Sequence, residues 1–174
     1  MKRLLILSFL GLFLNISFAQ KLIFPSDDYK IFTVDIDSRT WTHNLADGIL
    51  TIAPKSSKYS SDFLAMMWAS QDPESASQAT KLTEEAQYVV TTLLTDVNFN
   101  EKVSEFENNA IAYYGIDGTG YLKNDDGTKT EMFVTILLLL PQKYDDMVAL
   151  TFFATPEAYD IYSEDFIDLV LKIK

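Results

Sequence analysis

The chain carries one histidine, His43, and no cysteine, and that bounds its chemistry from the start. A serine triad needs a histidine beside an activated serine on a sharp turn, and no Gly-x-Ser-x-Gly elbow occurs. His43 therefore reads as a polar loop residue, and no catalytic residue is assigned. Without cysteine there are no disulfides and no thiolate chemistry. Zinc needs several nitrogen or sulfur ligands, which a single histidine does not supply. Calcium needs only oxygens, and acids pair at Asp27-Asp28, Asp125-Asp126 and Asp145-Asp146. The turn at residues 124–128 superficially resembles a calcium loop but lacks the acid required at its twelfth position. Adjacent acids in such turns read as solvated turn formers. No metal and no cofactor is expected.

Two further constellations are weighed the same way. Twenty-five acids leave room for a carboxylate pair of the glycosidase type, but no pattern sets two of them across a cleft. Gly115, Gly118 and Gly120 do not form a dinucleotide fingerprint, because no helix start follows them. They read as strand geometry, with a bulge or bend over residues 117–120. The aromatic residues Trp41, Tyr113, Tyr114, Tyr121, Tyr159 and Tyr162 have amphipathic rings suited to binding. Periodicity assigns most of them to packing. The expectation carried forward is that Trp41, Tyr113, Tyr114 and Tyr121 rim a ligand or partner groove beside the sheet.

The elements that would hold such a site are organised around residues 131–155. Residues 132–140 are apolar at nearly every position, residues 141–146 interrupt them, and residues 147–154 are apolar again. A strand with one wet face alternates, whereas a continuous apolar run bounded by turn residues reads as a strand covered on both faces. Nine residues are too few to cross a bilayer as a helix. The run predicts two adjacent antiparallel strands in mid-sheet, with helices against them.

Ahead of this pair, residues 21–30 read as a short lead and residues 31–37 alternate as a half-buried strand. Trp41 and His43 follow in a polar segment. Asp47-Gly48 turns the chain into a strand over residues 49–53, stopped by Pro54. After a loop over residues 55–61, residues 62–69 read as strand. Leu82, Ala86, Val89, Leu93 and Val97 paint one face of a helix, with Thr83 suited to cap it. Residues 102–107 form a polar strand near an edge, and residues 109–116 a more buried one. A tight turn at residues 124–127 would set Leu122 opposite Lys129 and Asp117 opposite Val134. Thr155-Pro156-Glu157 begins a closing helix, with Tyr159, Tyr162, Phe166, Leu169 and Ile173 on its apolar side. Ser163-Glu164-Asp165 reads as a second cap, at which the helix would break.

The N-terminus gives the address. Lys2 and Arg3, an apolar stretch over residues 4–13 and the small residues of Ser17-Phe18-Ala19 have the anatomy of a secretory signal peptide. Residues 1–19 are assigned to that peptide and residues 20–174 to a single α+β domain, periplasmic or secreted. Without the first nineteen residues twelve bases face 25 acids, a net charge of −13. Such a surface repels phosphate backbones, so nucleic acid is not an expected partner. No membrane span is expected after signal cleavage.

The order of elements, from the strands around Asp47-Gly48-Ile49 through a helix at residues 82–97, a meander over residues 110–154 and a closing helix, resembles the PsbP-like superfamily. That superfamily groups the extrinsic photosystem II protein with the Ran nucleotide-release factor. The resemblance implies an α+β fold, an antiparallel sheet of about six strands with helices packed against it. It also implies a small binding or assembly module, with no individual residue carried over. The leading reading is an exported, non-catalytic module for a protein or small-molecule ligand. The alternative is a small periplasmic hydrolase or isomerase working through Asp, Glu and Tyr in a sheet–helix cleft. A third is an acidic, cation-buffering protein.

Overall fold

A computed structural model describes residues 19–71, 77–143 and 145–174. The basic and apolar start assigned to a signal peptide lies outside the described residues, apart from Ala19. At the centre, β9 (Lys129–Pro141) and β10 (Val148–Ala154) pair antiparallel, with Leu137 opposite Leu150 and Val134 opposite Phe153. All seven residues of β10 are buried. It lies between β9 and β5 (Phe63–Ala69), and each face carries a helix.

The alternation along a strand divides the core in two. On one face, α1 (Gln78–Leu93) sets Leu82, Ala86 and Val90 against Val134, Ile136, Ala149 and Phe153. On the other, α2 (Pro156–Leu171) sets Phe166, Leu169 and Val170 against Leu139, Leu150 and Phe152. Burying each of the larger of these side chains stabilises the fold by about 1.5–3 kcal/mol. The apolar run is continuous because consecutive residues serve two different cores.

The remaining strands extend this centre. β3 (Trp41–Ala46) and β4 (Ile49–Pro54) form a hairpin at Asp47 and Gly48, whose φ values of 52° and 75° suit a tight two-residue turn. On the far side, β8 (Ile111–Lys123) pairs with β9 along its whole length. Beyond β8 lie β6 (Thr95–Phe99) and β7 (Ser104–Asn108), each pairing with a different half of it. The sheet order is β3-β4-β5-β10-β9-β8-β6, with β7 also on β8, eight strands in all. A separate hairpin of β1 (Ala19–Pro25) and β2 (Lys30–Asp37) packs Phe24, Phe32, Val34 and Ile36 into the α2-side core.

The sheet thus exceeds the expected six strands by two: the polar segment with Trp41 and His43 is β3, and Val97, placed on a helix by spacing, sits in β6. Outside that sheet, residues 21–30, read as a lead, contain most of β1, which pairs with β2. Each is polar enough to read as loop or helix alone, yet is held extended by a partner's ladder of hydrogen bonds. The helix begins earlier than expected, at Gln78, and Thr83 lies inside it, its hydroxyl donating to the Ala79 carbonyl at 2.8 Å. Leu93 is exposed, and Leu94, already extended, enters the core in its place. α2 runs unbroken through Ser163, with the Thr155 hydroxyl accepting from the Ala158 amide.

Candidate functional site

The register of β8 against β9 creates the site. Lys123 pairs with Lys129, Leu122 with Thr130 and Asp117 with Thr135. Every pair is one residue displaced from the expected register, because the turn takes five residues rather than four. The amide of Gly127, at φ 83°, donates to the Asn124 carbonyl, and the Asn124 amide donates to the Thr128 carbonyl. A one-residue slip changes which side chains share a face. Here it sets two polar groups opposite each other on the α2 side, and the Thr135 hydroxyl donates to Asp117 Oδ1 at 2.6 Å.

That pair lies in the lining of a cavity of about 270 Å³ between α2 and the sheet. Leu137 and Phe152 line it from the sheet and Phe106 from β7, while Tyr159, Ser163, Phe166 and Ile167 line it from α2. Ile167 is half exposed at 51%. The walls are mainly apolar, and among the described residues Asp117 is the only charged side chain in the lining, with no lysine, arginine or histidine beside it. Ring packing fixes the wall: Phe152 meets Phe166 edge-on at 5.2 Å, and Tyr159 meets Phe133 edge-on at 5.3 Å. Beneath the floor, a Cβ on Gly115 would come within 2.7 Å of Leu137 Cδ2. The missing side chain lets Leu137 approach the β8 backbone closely at this point.

Asp117 also marks a change of neighbour along β8. Up to Gly115 the outer partner is β7, and from Gly118 it is β6. The irregularity expected over residues 117–120 therefore belongs to the outer strands: β8 keeps an unbroken register with β9, while β6 shifts register between Thr95 and Asn98.

Both ends of α2 are fastened. The Thr155 amide donates to the Asp62 carbonyl at 2.8 Å. At the other end, the side-chain amides of Asn108 and Asn109 donate to the Leu171 carbonyl, and Lys174 exchanges two backbone bonds with Thr33. Tyr113 lies below the helix, its hydroxyl donating to the Val170 carbonyl at 3.3 Å, and burial pushes its pKa up to about 12.

The aromatic residues expected to rim one groove are not brought together. Trp41 is 3% exposed and packs among Phe63, Tyr162 and Phe166; Tyr113 is fully buried. Both are core, because their strand positions point under α2. Tyr114 and Tyr121, each 38% exposed, lie on opposite faces of β8. Tyr121 has the Lys129 ammonium 5.7 Å from its ring centre. Tyr159 does line the cavity, and Tyr162 packs beside Trp41. His43 lies opposite Ile52 on β3, the edge strand farthest from the cavity.

The turn acids hold local structure. Asp126 accepts from the amide and the hydroxyl of Thr128, at 2.9 and 2.6 Å, and these bonds lower its pKa. Asp146 accepts the Tyr29 hydroxyl at 2.7 Å, which fastens the β1–β2 hairpin to the turn before β10 and raises the tyrosine's pKa. Among the described residues no three His, Cys, Asp or Glu side chains gather to hold a metal ion, and no helix is long and apolar enough to cross a membrane.

Sequence reasoning missed the lining residues Phe106, Ser163, Ile167, Asp117 and Thr135. The available signal was polarity inside apolar strands: Thr135 interrupts residues 132–140, and Asp117 stands between Gly115 and Gly118. No family model matches the chain, and no curated protein matches it significantly.

Proposed function

We propose that this chain is an exported, non-catalytic binding module that takes a small ligand in the cavity beneath α2. The observation that carries this reading is the composition of the cavity: aromatic and aliphatic walls around a single polar pair, Asp117 and Thr135. Small-molecule sites combine largely apolar linings with a few placed polar groups in this way. General acid–base hydrolysis calls for a second titrating group aimed at the same reacting atom. Asp117 instead stands exposed at the cavity with a threonine as its bonded neighbour.

Export rests on the basic and apolar N-terminus. Cleavage after Ala19 leaves residues 20–25 paired with β2, so the hairpin keeps its register. Kinship with the PsbP-like superfamily is part of the same proposal, supported by the helix, the β8–β9–β10 meander and the closing helix in that order. It fails if experimentally determined members of that superfamily do not share the β5-β10-β9-β8 strand order.

The direct test is a small-fragment screen on the mature chain, read by NMR at the methyl groups of Leu137 and Ile167. Ser163→Trp, which places an indole in the cavity from the half-buried side of α2, is expected to lower the affinity of any hit at least about tenfold while retaining the fold. Loss of a methylene-scale fit already costs that much. Hits that ignore Ser163→Trp would move the site elsewhere, and turnover of a bound fragment would move the assignment to a hydrolase or isomerase.

A further inference from the structure

We infer that the ligand of this cavity is a small organic cation, an ammonium head on a compact apolar body; the inference rests on the cavity being the binding site. The first ground is charge. Among the described residues Asp117 is the only acidic side chain in the lining, and no basic residue accompanies it. The chain as a whole carries a net charge of −11, which concentrates cations and repels anions.

The second ground is the open acceptor on Asp117. Thr135 donates to Oδ1, and no group among the described residues donates to Oδ2, which the exposed side chain leaves open to water or a ligand. A carboxylate only accepts, so a ligand that replaces water there must donate, and a charged donor binds it most strongly. Because Asp117 is exposed, the head of the ligand stays near water while its body enters the apolar interior. The third ground is the lining around it. Phe106, Phe152, Tyr159 and Phe166 contribute aromatic rings, whose faces attract cations. The C-terminal turn of α2, represented by Val170 and Leu171, also lines the cavity, and that end of a helix favours positive charge. Size sets the last limit: about 270 Å³ falls just below the usual range of ligand cavities, roughly 300 to 1,000 Å³. One ring and a short amine arm suit this volume; a lipid or a folded peptide does not.

The experiment compares three probes of nearly equal size on the mature chain: phenethylamine, phenethyl alcohol and phenylacetate. Affinities are read by NMR titration at the methyl groups of Leu137 and Ile167. The amine is expected to bind about tenfold tighter than the alcohol, the effect of one partly hydrated ion pair beside aromatic rings, and phenylacetate weakest of the three. The advantage of the amine should shrink as salt is raised. Asp117→Asn keeps an oxygen to accept from Thr135 and removes the charge; with it, amine and alcohol should bind alike. An alcohol or carboxylate that binds wild type as tightly as the amine overturns the inference and leaves the cavity as a binding site. So does an amine preference that survives Asp117→Asn. Absence of methyl shifts with all three probes overturns the inference, and if the fragment screen is also empty, the binding-site reading falls with it.

Discussion

Thr151 sits in β10 between Met66 and Ile136, fully buried, and its hydroxyl has no hydrogen-bond partner among the described residues. A buried polar group left unpaired costs about 1–3 kcal/mol. Thr151→Val, which keeps the shape and removes the hydroxyl, is expected to raise stability by about 1 kcal/mol, measured by urea denaturation. Asp37 offers a test on the surface. Arg39, through side-chain and backbone hydrogen bonds, lowers the Asp37 pKa to about 2. A carboxyl depressed in the folded state stabilises it above the unfolded pKa, and that contribution disappears as pH falls through the folded value. The denaturation midpoint should therefore fall between pH about 4 and pH about 2, and less steeply in Asp37→Asn. A slope unchanged by that substitution would assign the acid sensitivity to other groups.

At the scale of elements, the split edge of β8 is the feature most open to test. A Cβ on Gly118 would meet the Asn98 carbonyl oxygen at 2.7 Å and Phe99 Cα at 3.1 Å, both backbone atoms of β6. Backbone yields poorly, so Gly118→Ala should destabilise the fold by about 1–3 kcal/mol through displacement of β6. Gly120 has side-chain neighbours at 3.2 Å, which can adjust, and Gly120→Ala should cost less. Equal losses in the two variants would argue against a rigid seam between β6 and β8. The pattern of what was legible in the sequence follows from the same elements. β9, β10 and α2 read clearly because each buries a run of large apolar residues with its own start or stop signal, Pro156 and Thr155 among them. β1, β3 and β6 did not, because their extended shape comes from the hydrogen-bond ladder of a paired strand and not from an apolar pattern of their own. The site fared worst: Asp117 and Thr135 meet only once the register is fixed, and the register depended on one residue in the turn after Lys123.

For the molecule as a whole, the division of one apolar run between two cores makes β10 the element on which the rest leans. Its seven buried residues touch both layers. Its amides are expected to exchange with solvent only through global unfolding, and the β1–β2 hairpin, held in a sheet of its own, to open at lower free energy. Hydrogen exchange by mass spectrometry distinguishes these; equal protection would mean that hairpin and sheet unfold as one unit. The fastening of α2 has a different kind of consequence. A helix tied at Asp62 on one end and at Asn108, Asn109 and Thr33 on the other is poorly placed to swing as a flap. Molecules should then come and go past its flank, through an opening that exists before they arrive. Stopped-flow traces should show a single phase whose rate climbs in proportion to concentration, without the plateau that marks a slow rearrangement.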